Sequence, residues 1–364
     1  MLNVEILGGV GEYGRNCFFI EKNGHAILLD CGVMNNRQKT LPNLTQAHVA
    51  KLDAVFISHS HTDHVGALPL LERWGYIGPI IMSKMTAQQL KQSCHHTRTF
   101  QPESIGEWTV VSNCLAFQWG YSGHLIGSVW YKIRFFEEVI FYSGDYVVDS
   151  YLLKATLPIE DGTVYDVAII DSGHIEKHIK NIEVLQRMTE YIHANPNCPI
   201  IFPSSFSGKT ADIATYLFQH TTRAIRVDHD LLSLFENYYE APGNLLSNRT
   251  MLQQFKLECL TKITESENTI YFVPERNEAK LVELLHKKPT SIVIFTGYWN
   301  KGKYKSPFSK NQYKEFFYKT HPDYHDIIAL SSKIQAHKTI YFHSSLTNRD
   351  TTFLQLLKNE EEIL

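Results

Sequence analysis

No stretch of this sequence approaches the roughly 18 uncharged apolar residues of a membrane-spanning helix. The opening Met1-Leu2-Asn3-Val4 has neither a basic start nor an apolar signal core. A cytoplasmic protein with no membrane partner is therefore expected. Paired cysteines are lacking as well: Cys17, Cys31, Cys94, Cys114, Cys198 and Cys259 show no short spacing of a thiolate metal site, and several sit among apolar neighbours. They read as reduced thiols. Nor does charge of one sign dominate. With 35 Lys plus Arg against 38 Asp plus Glu, the net charge is −3, so any nucleic-acid partner must be held by a local patch.

What the chain does have is histidine in one place. His59-Ser60-His61-Thr62-Asp63-His64 follows the apolar run Leu52-Asp53-Ala54-Val55-Phe56-Ile57-Ser58. Three imidazoles and a carboxylate at the end of a buried strand suit a divalent metal. On an extended backbone, side chains two apart point the same way, so His59, His61 and Asp63 converge and His64 faces elsewhere. Ligands on two sides of one short segment suit a pair of neighbouring ions. The rival reading is a histidine-rich surface loop.

The chain is long enough for two domains, or for one with a large insertion, at 364 residues. Near its start, Gly8-Gly9-Val10-Gly11-Glu12-Tyr13-Gly14 lets the backbone turn tightly. A dinucleotide site is disfavoured there, because Asn16 to Ile20 continues as strand where that motif requires a helix. Asn23-Gly24 predicts a two-residue hairpin turn, and the strand beyond it ends at Asp30, an expected supporting carboxylate for the metal region or an ordinary turn residue. Two further apolar strands deliver candidate ligands at their tips: His124 in a glycine-flanked turn, and Asp145 after Val139-Ile140-Phe141-Tyr142-Ser143-Gly144. An acid so placed can bridge two cations.

From Asp166 the grammar becomes alternating apolar strands and helices, predicting a parallel sheet covered on both faces. A long helix is expected over 175–194. Ser207-Gly208-Lys209-Thr210 lacks the first glycine of a phosphate loop and reads as a strand-to-helix turn. Lysines interleaved with aromatics from Gly297 to Lys319 offer phosphate contacts and stacking faces for single-stranded nucleic acid, or a basic loop followed by a helix docked by its aromatics. His321 opens a helix and His343 ends the last clear strand.

Taken together, Gly8-Gly9-Val10-Gly11-Glu12, Asp30, the His59–His64 run, His124 and Asp145 resemble the successive motifs of the metallo-β-lactamase fold. The segment after Asp171, Phe295-Thr296-Gly297-Tyr298, His321-Pro322-Asp323 and His343 resemble those of its β-CASP branch, which includes J-type bacterial ribonucleases and the cleavage and polyadenylation endonuclease. The resemblance implies an α/β architecture: an αββα sandwich formed by residues 1–176 and 315–364, with a β-CASP-like parallel α/β domain inserted at 177–314. It implies one zinc on His59, His61 and His124, a second on Asp63, His64 and His343, and Asp145 between them, with Mn²⁺ as an alternative. A hydroxide held between the metals would attack phosphorus, with Asp63 orienting it. His321 would stand near the leaving oxygen, oriented by Asp171. Tyr298, Lys301 and Lys303 are the expected substrate contacts, and single-stranded RNA the expected substrate. A homodimer is left open. Two other readings also stay open at this stage: hydrolysis of a smaller phosphodiester or ester, and a non-catalytic RNA-binding or assembly subunit.

Overall fold

The computed structural model describes residues 2–90, 94–158, 161–243, 245–247, 249–260, 266–297 and 312–345. The chain divides into two compact units. The first comprises Met1–Val148, Ala155–His178 and His321–Leu364, and the second Asp149–Lys154 and Ile179–Thr320.

In the first unit, β1 (Asn3–Gly8), β2 (Cys17–Lys22), β3 (His25–Leu29), β4 (Leu52–Phe56), β5 (Ile80–Ser83) and β6 (Thr97–Phe100) form a sheet in chain order. The β2–β3 turn has Asn23 at φ 53° and Gly24 at φ 83°, the left-handed pair that matches strand twist in a two-residue hairpin. A second sheet contains β7 (Thr109–Ser112), β8 (Leu115–Tyr121), β9 (Val129–Phe135), β10 (Glu138–Tyr142) and β11 (Tyr165–Asp171), antiparallel up to β10 and parallel between β10 and β11.

The two sheets bury their inner faces on one another through aromatic side chains. Phe56 meets Phe117 and Tyr131 with ring centroids 5.5 and 5.3 Å apart, both edge-on, and the Tyr131 hydroxyl donates to the Ile57 carbonyl at 2.7 Å. Such rings bury large areas and add geometric preference on top. Outside the first sheet, Leu68 and Leu71 pack with Phe19, Leu28, Val55 and Ile57. Helices therefore cover the outer face, and the unit is an αββα sandwich.

The second unit is a five-stranded parallel sheet ordered β13-β14-β12-β15-β16, from β12 (Ile200–Ser204), β13 (Ile225–Val227), β14 (Ile270–Pro274), β15 (Ile292–Phe295) and β16 (Tyr313–Glu315). Its long first helix is Asn181–His193, six residues shorter at its start than the sequence pattern suggests. The Asp149 carboxylate explains the late start, since it accepts from the Asn181 backbone N–H at 2.8 Å and caps the helix there. A helix over Leu232–Tyr239 was not expected at all.

The chain then returns to the first unit. Helix Tyr324–Lys333 opens with a capping box between Asp323 and Asp326. Its Leu330 covers the second sheet beside Phe141, Ala168 and Ile170. The last strand, β17 (Ala336–Phe342), pairs in parallel with β11 at the edge of that sheet. Tyr298, Lys301 and Lys303 lie outside the described residues.

Candidate metal centre

Strand ends of the first unit gather at one place. β4 leads into the histidine run, β3 leads to Asp30, β10 leads to Asp145, β11 ends at Asp171 and β17 leads to His343. The run does not stay extended. Its second half turns into the short helix Thr62–Val65 with His61 at the N-cap, so Asp63 leaves the direction of His59 and His61 and falls in with His64. The turn is held by backbone bonds: Asn16 N–H donates to the Asp63 carbonyl at 2.9 Å, and Cys31 N–H to the His64 carbonyl at 2.8 Å. Gly32 makes this possible, for a Cβ there would sit 1.6 Å from the Asp63 carbonyl oxygen.

Ligand-type atoms converge in two adjacent groups, His59, His61, His124 and Asp145 in one and Asp63, His64 and His343 in the other, and a third, Asp145, His321 and His343, overlaps both, each within 4.8 Å. Asp145 stands between them. Its Oδ2 lies 3.5 Å from His59 Nε2 and 3.4 Å from His124 Nε2, while its Oδ1 lies 3.2 Å from His64 Nε2. His61 Nδ1 is 3.0 Å from His59 Nε2 and 3.1 Å from His124 Nε2. His343 Nε2 is 3.2 Å from Asp63 Oδ2.

These residues fit metal ions. Two ligands about 2.0–2.1 Å from a tetrahedral Zn²⁺ stand roughly 3.3 Å apart, close to the spacings here. Asp145 Oδ1 and His343 Nδ1 are buried without a hydrogen-bond partner. A structural cluster of this polarity would satisfy such atoms. His343 and Asp30 also take left-handed backbone angles, φ 64° and 55°, which are uncommon outside glycine and cost energy that surrounding contacts must offset.

Electrostatics agree with a site built for cations. Burial drives His59 well below its usual range, and the nearby His64 pushes it the same way, leaving a bare ring nitrogen at neutral pH. Burial also opposes the charge on His343, but Asp145 and Asp63 outweigh it and raise that imidazole to about 9. His64 is raised in the same manner against burial, by Asp145, Asp30 and Asp63. Asp63, disfavoured by burial, is nevertheless held below the ordinary carboxylate range by His64 and His343. The carboxylates thus call for positive charge.

Beside the two groups, His321 Nδ1 lies 3.0 Å from Asp171 Oδ2 and 3.7 Å from Asp145 Oδ2. Its ring stacks on His343 at 4.3 Å. Asp171 is fixed by the backbone N–H groups of Tyr146 and Gly173, at 3.0 and 2.9 Å. Gly173 must be small, because a Cβ would meet His321 Cγ at 2.6 Å. Burial and Asp145 raise Asp171 to about 7, and burial and His343 lower His321 to about 3. Near neutrality the pair shares a proton rather than standing as an ion pair.

Several participants escaped the sequence reading. Asn16 Nδ2 lies 2.9 Å from His64 Nε2, and Ser58 donates to Asp30 from both its backbone N–H and its hydroxyl, each at 2.7 Å. Tyr142 donates its hydroxyl to Asp30 Oδ2. In sequence, each is an ordinary residue of a strand or its end. His174, which accepts from the His321 backbone N–H at 3.3 Å, gave no signal either.

Residues 10–85 match the metallo-beta-lactamase superfamily. Among curated proteins, the chain is 31% identical over 185 residues to the transcription termination factor FttA of Lokiarchaeum sp., covering 43% of this chain and 29% of that one. It is 25% identical over 275 residues to the cleavage and polyadenylation specificity factor subunit 3-I of Arabidopsis thaliana, covering 66% and 38%. With the endoribonuclease YSH1 of Kluyveromyces lactis it shares 23% identity over 250 residues, 59% of this chain and 32% of that one. The chain spans well under half the length of these relatives. A crystal structure of a protein of unknown function from Enterococcus faecalis V583 shares the fold, with a TM-score of 0.60 at 13% identity, over 95% of this chain and 96% of the other. With its αββα sandwich and its separate parallel sheet, the chain has the metallo-β-lactamase type of fold and is similar to these relatives.

Proposed function

We propose that this protein is a dinuclear zinc-dependent phosphodiesterase that cleaves single-stranded RNA. The observation that carries the proposal is the pair of ligand groups on either side of Asp145, whose Oδ1 lies 3.2 Å from His64 Nε2, with the His321–Asp171 pair at their side. Two Zn²⁺ ions, or Mn²⁺ in their place, would ionise a water near neutral pH and draw charge from a phosphoryl oxygen. His59, His61 and His124 would hold one ion, Asp63, His64 and His343 the other, and Asp145 both. Asp63 Oδ2, already 3.2 Å from His343 Nε2, is placed to orient the attacking water. His321 Nδ1 is hydrogen-bonded to Asp171, so Nε2 would give a proton to the departing oxygen as Nδ1 draws the shared proton from Asp171. A positioned acid of this kind contributes typically 10²–10⁴-fold. RNA as substrate is supported by relatives that include a named endoribonuclease and a cleavage factor subunit.

The test begins with metal content per chain after purification without added metal, followed by cleavage of end-labelled single-stranded RNA. Two zincs and cleavage are expected, with His59→Ala and His321→Ala each losing cleavage by about 10²-fold or more. Cleavage undiminished in either variant would overturn the mechanism. In competition, RNA should outcompete a small chromogenic diester; the reverse would assign a small substrate.

A further inference from the structure

The buried hydroxyl of Tyr142 is not used by any step above, yet it sits where two of the three ligands on one side of the centre, His64 and His343, are anchored. Asp30, fully buried, accepts from Ser58 twice, from His64 Nδ1 at 2.6 Å and from the Tyr142 hydroxyl. Tyr142 and His64 use the same carboxylate oxygen, Oδ2. A carboxylate offers only acceptors, so Asp30 fixes the hydrogen of His64 on Nδ1 and turns Nε2 toward Asp145 and Asp63, 3.2 and 3.8 Å away. Removing the Tyr142 donor leaves Asp30 held by Ser58 and His64 alone and loosens the orientation of His64.

The ring of Tyr142 reaches the other ligand. It packs on Phe342 at 5.7 Å, and Phe18 closes the triad at 5.8 Å from Tyr142 and 5.3 Å from Phe342. Phe342 precedes His343, whose left-handed backbone depends on where β17 ends. His343 N–H donates to the Gly9 carbonyl at 2.8 Å, so a small shift of Phe342 moves the imidazole. On the other side of the centre His59 is reached one bond further out, through Ser58 Oγ, which donates to Asp30 Oδ2 at 2.7 Å and lies 3.0 Å from His59 Nδ1.

We propose that Tyr142 is a positioning residue for the Asp63–His64–His343 side of the centre, acting through Asp30 on His64 and through Phe342 on His343. The proposal rests on the two-metal reading above. Loss of an outer partner of a metal ligand costs typically 10- to 100-fold in metal affinity. The larger loss should fall on that site, whose His64 touches Asp30 directly, and the smaller on the site of His59.

The experiment titrates Zn²⁺ into metal-free protein against a chromogenic chelator. Wild type should show two sites. Tyr142→Phe keeps the ring and removes the hydroxyl; it should weaken one site by about 10- to 100-fold, weaken the other less, and keep the thermal midpoint of the metal-free chain within a few degrees. In a His61→Ala background, Tyr142→Phe should weaken the remaining site, whereas in a His343→Ala background its effect should be smaller. Asp30→Asn should give the same selective loss, and the double variant no more than either alone. Two sites of wild-type affinity in Tyr142→Phe, or equal weakening of both, would overturn the proposal. Wild-type protein that binds no zinc would overturn the two-metal reading instead.

Discussion

Two buried carboxylates, Asp145 in the first unit and Asp212 in the second, show what separates a working site from a structural one. Asp212 is saturated. It accepts from the Tyr318 hydroxyl at 2.6 Å, the Ser150 hydroxyl at 2.8 Å and the backbone N–H groups of Tyr151 and Leu152 at 3.1 and 3.0 Å. These bonds draw Asp149–Lys154 into the second unit, although the sequence pattern placed that segment in the first. Asp145 is surrounded by imidazole nitrogens at 3.2–3.5 Å, yet its Oδ1 has no hydrogen-bond donor. A protein leaves a buried oxygen in that state where something else is meant to bind.

The sharpest way to break this comparison is to neutralise each acid. Asp145→Asn should abolish two-site zinc binding, with a loss larger than the roughly 10–100-fold of an outer partner, and should remove RNA cleavage with it. In EDTA, its urea midpoint should move less than that of Asp212→Ala. Equal destabilisation of the two would mean that Asp145 holds the fold rather than an ion.

The second effect in size belongs to Asp212→Ala. Two hydroxyls and two backbone N–H groups would lose their acceptor in a dry interior, each unmet group costing about 1–3 kcal/mol before relaxation. After relaxation, destabilisation of about 3 kcal/mol is expected, read by urea unfolding, with zinc stoichiometry intact in the folded fraction. A change under about 1 kcal/mol would show that the saturation of Asp212 carries no weight.

The same contrast explains what could be read from the sequence. The histidine run was legible because six consecutive residues carry its chemistry, and Asp145 because an acid directly after a buried strand is conspicuous. Period-two reasoning failed at Asp63, since the N-cap at His61 converts strand geometry to helix within two residues. Asp30 was visible as a strand-end acid, but Tyr142 and Ser58 were not, because a tyrosine in a buried strand is normal and only the folded pairing of β10 with its partners shows where the hydroxyl ends. Asp149 was opaque for the same reason. Its role as a helix cap depends on Asn181, 32 residues later. The parallel sheet was legible from its apolar runs, whereas β16 (Tyr313–Glu315) is too short and too polar to announce itself.

The smallest effects are in pH dependence, and there the sign separates a saturated buried acid from an exposed paired one. Burial raises Asp212 against the bonds it accepts, so the folded state binds its proton more tightly than the unfolded chain. Stability from this group is fully present below the unfolded value near 3.8 and is lost as pH rises through the folded value. Asp161 is the opposite case. The Lys132 ammonium, 2.7 Å from its Oδ2, is first among the groups that lower it to about 2, so its contribution is present above 3.8 and is lost as pH falls toward 2. The Asp161 side chain is 44% exposed, and such pairs are worth about 0.5 kcal/mol. Urea midpoints between pH 3.5 and 6 should therefore show the stability of wild type relative to Asp212→Asn falling with pH, and relative to Asp161→Asn rising slightly. Parallel slopes for the two variants would mean that burial at Asp212 is compensated as fully as the lysine compensates Asp161, and the distinction between the two acids would then rest on geometry alone.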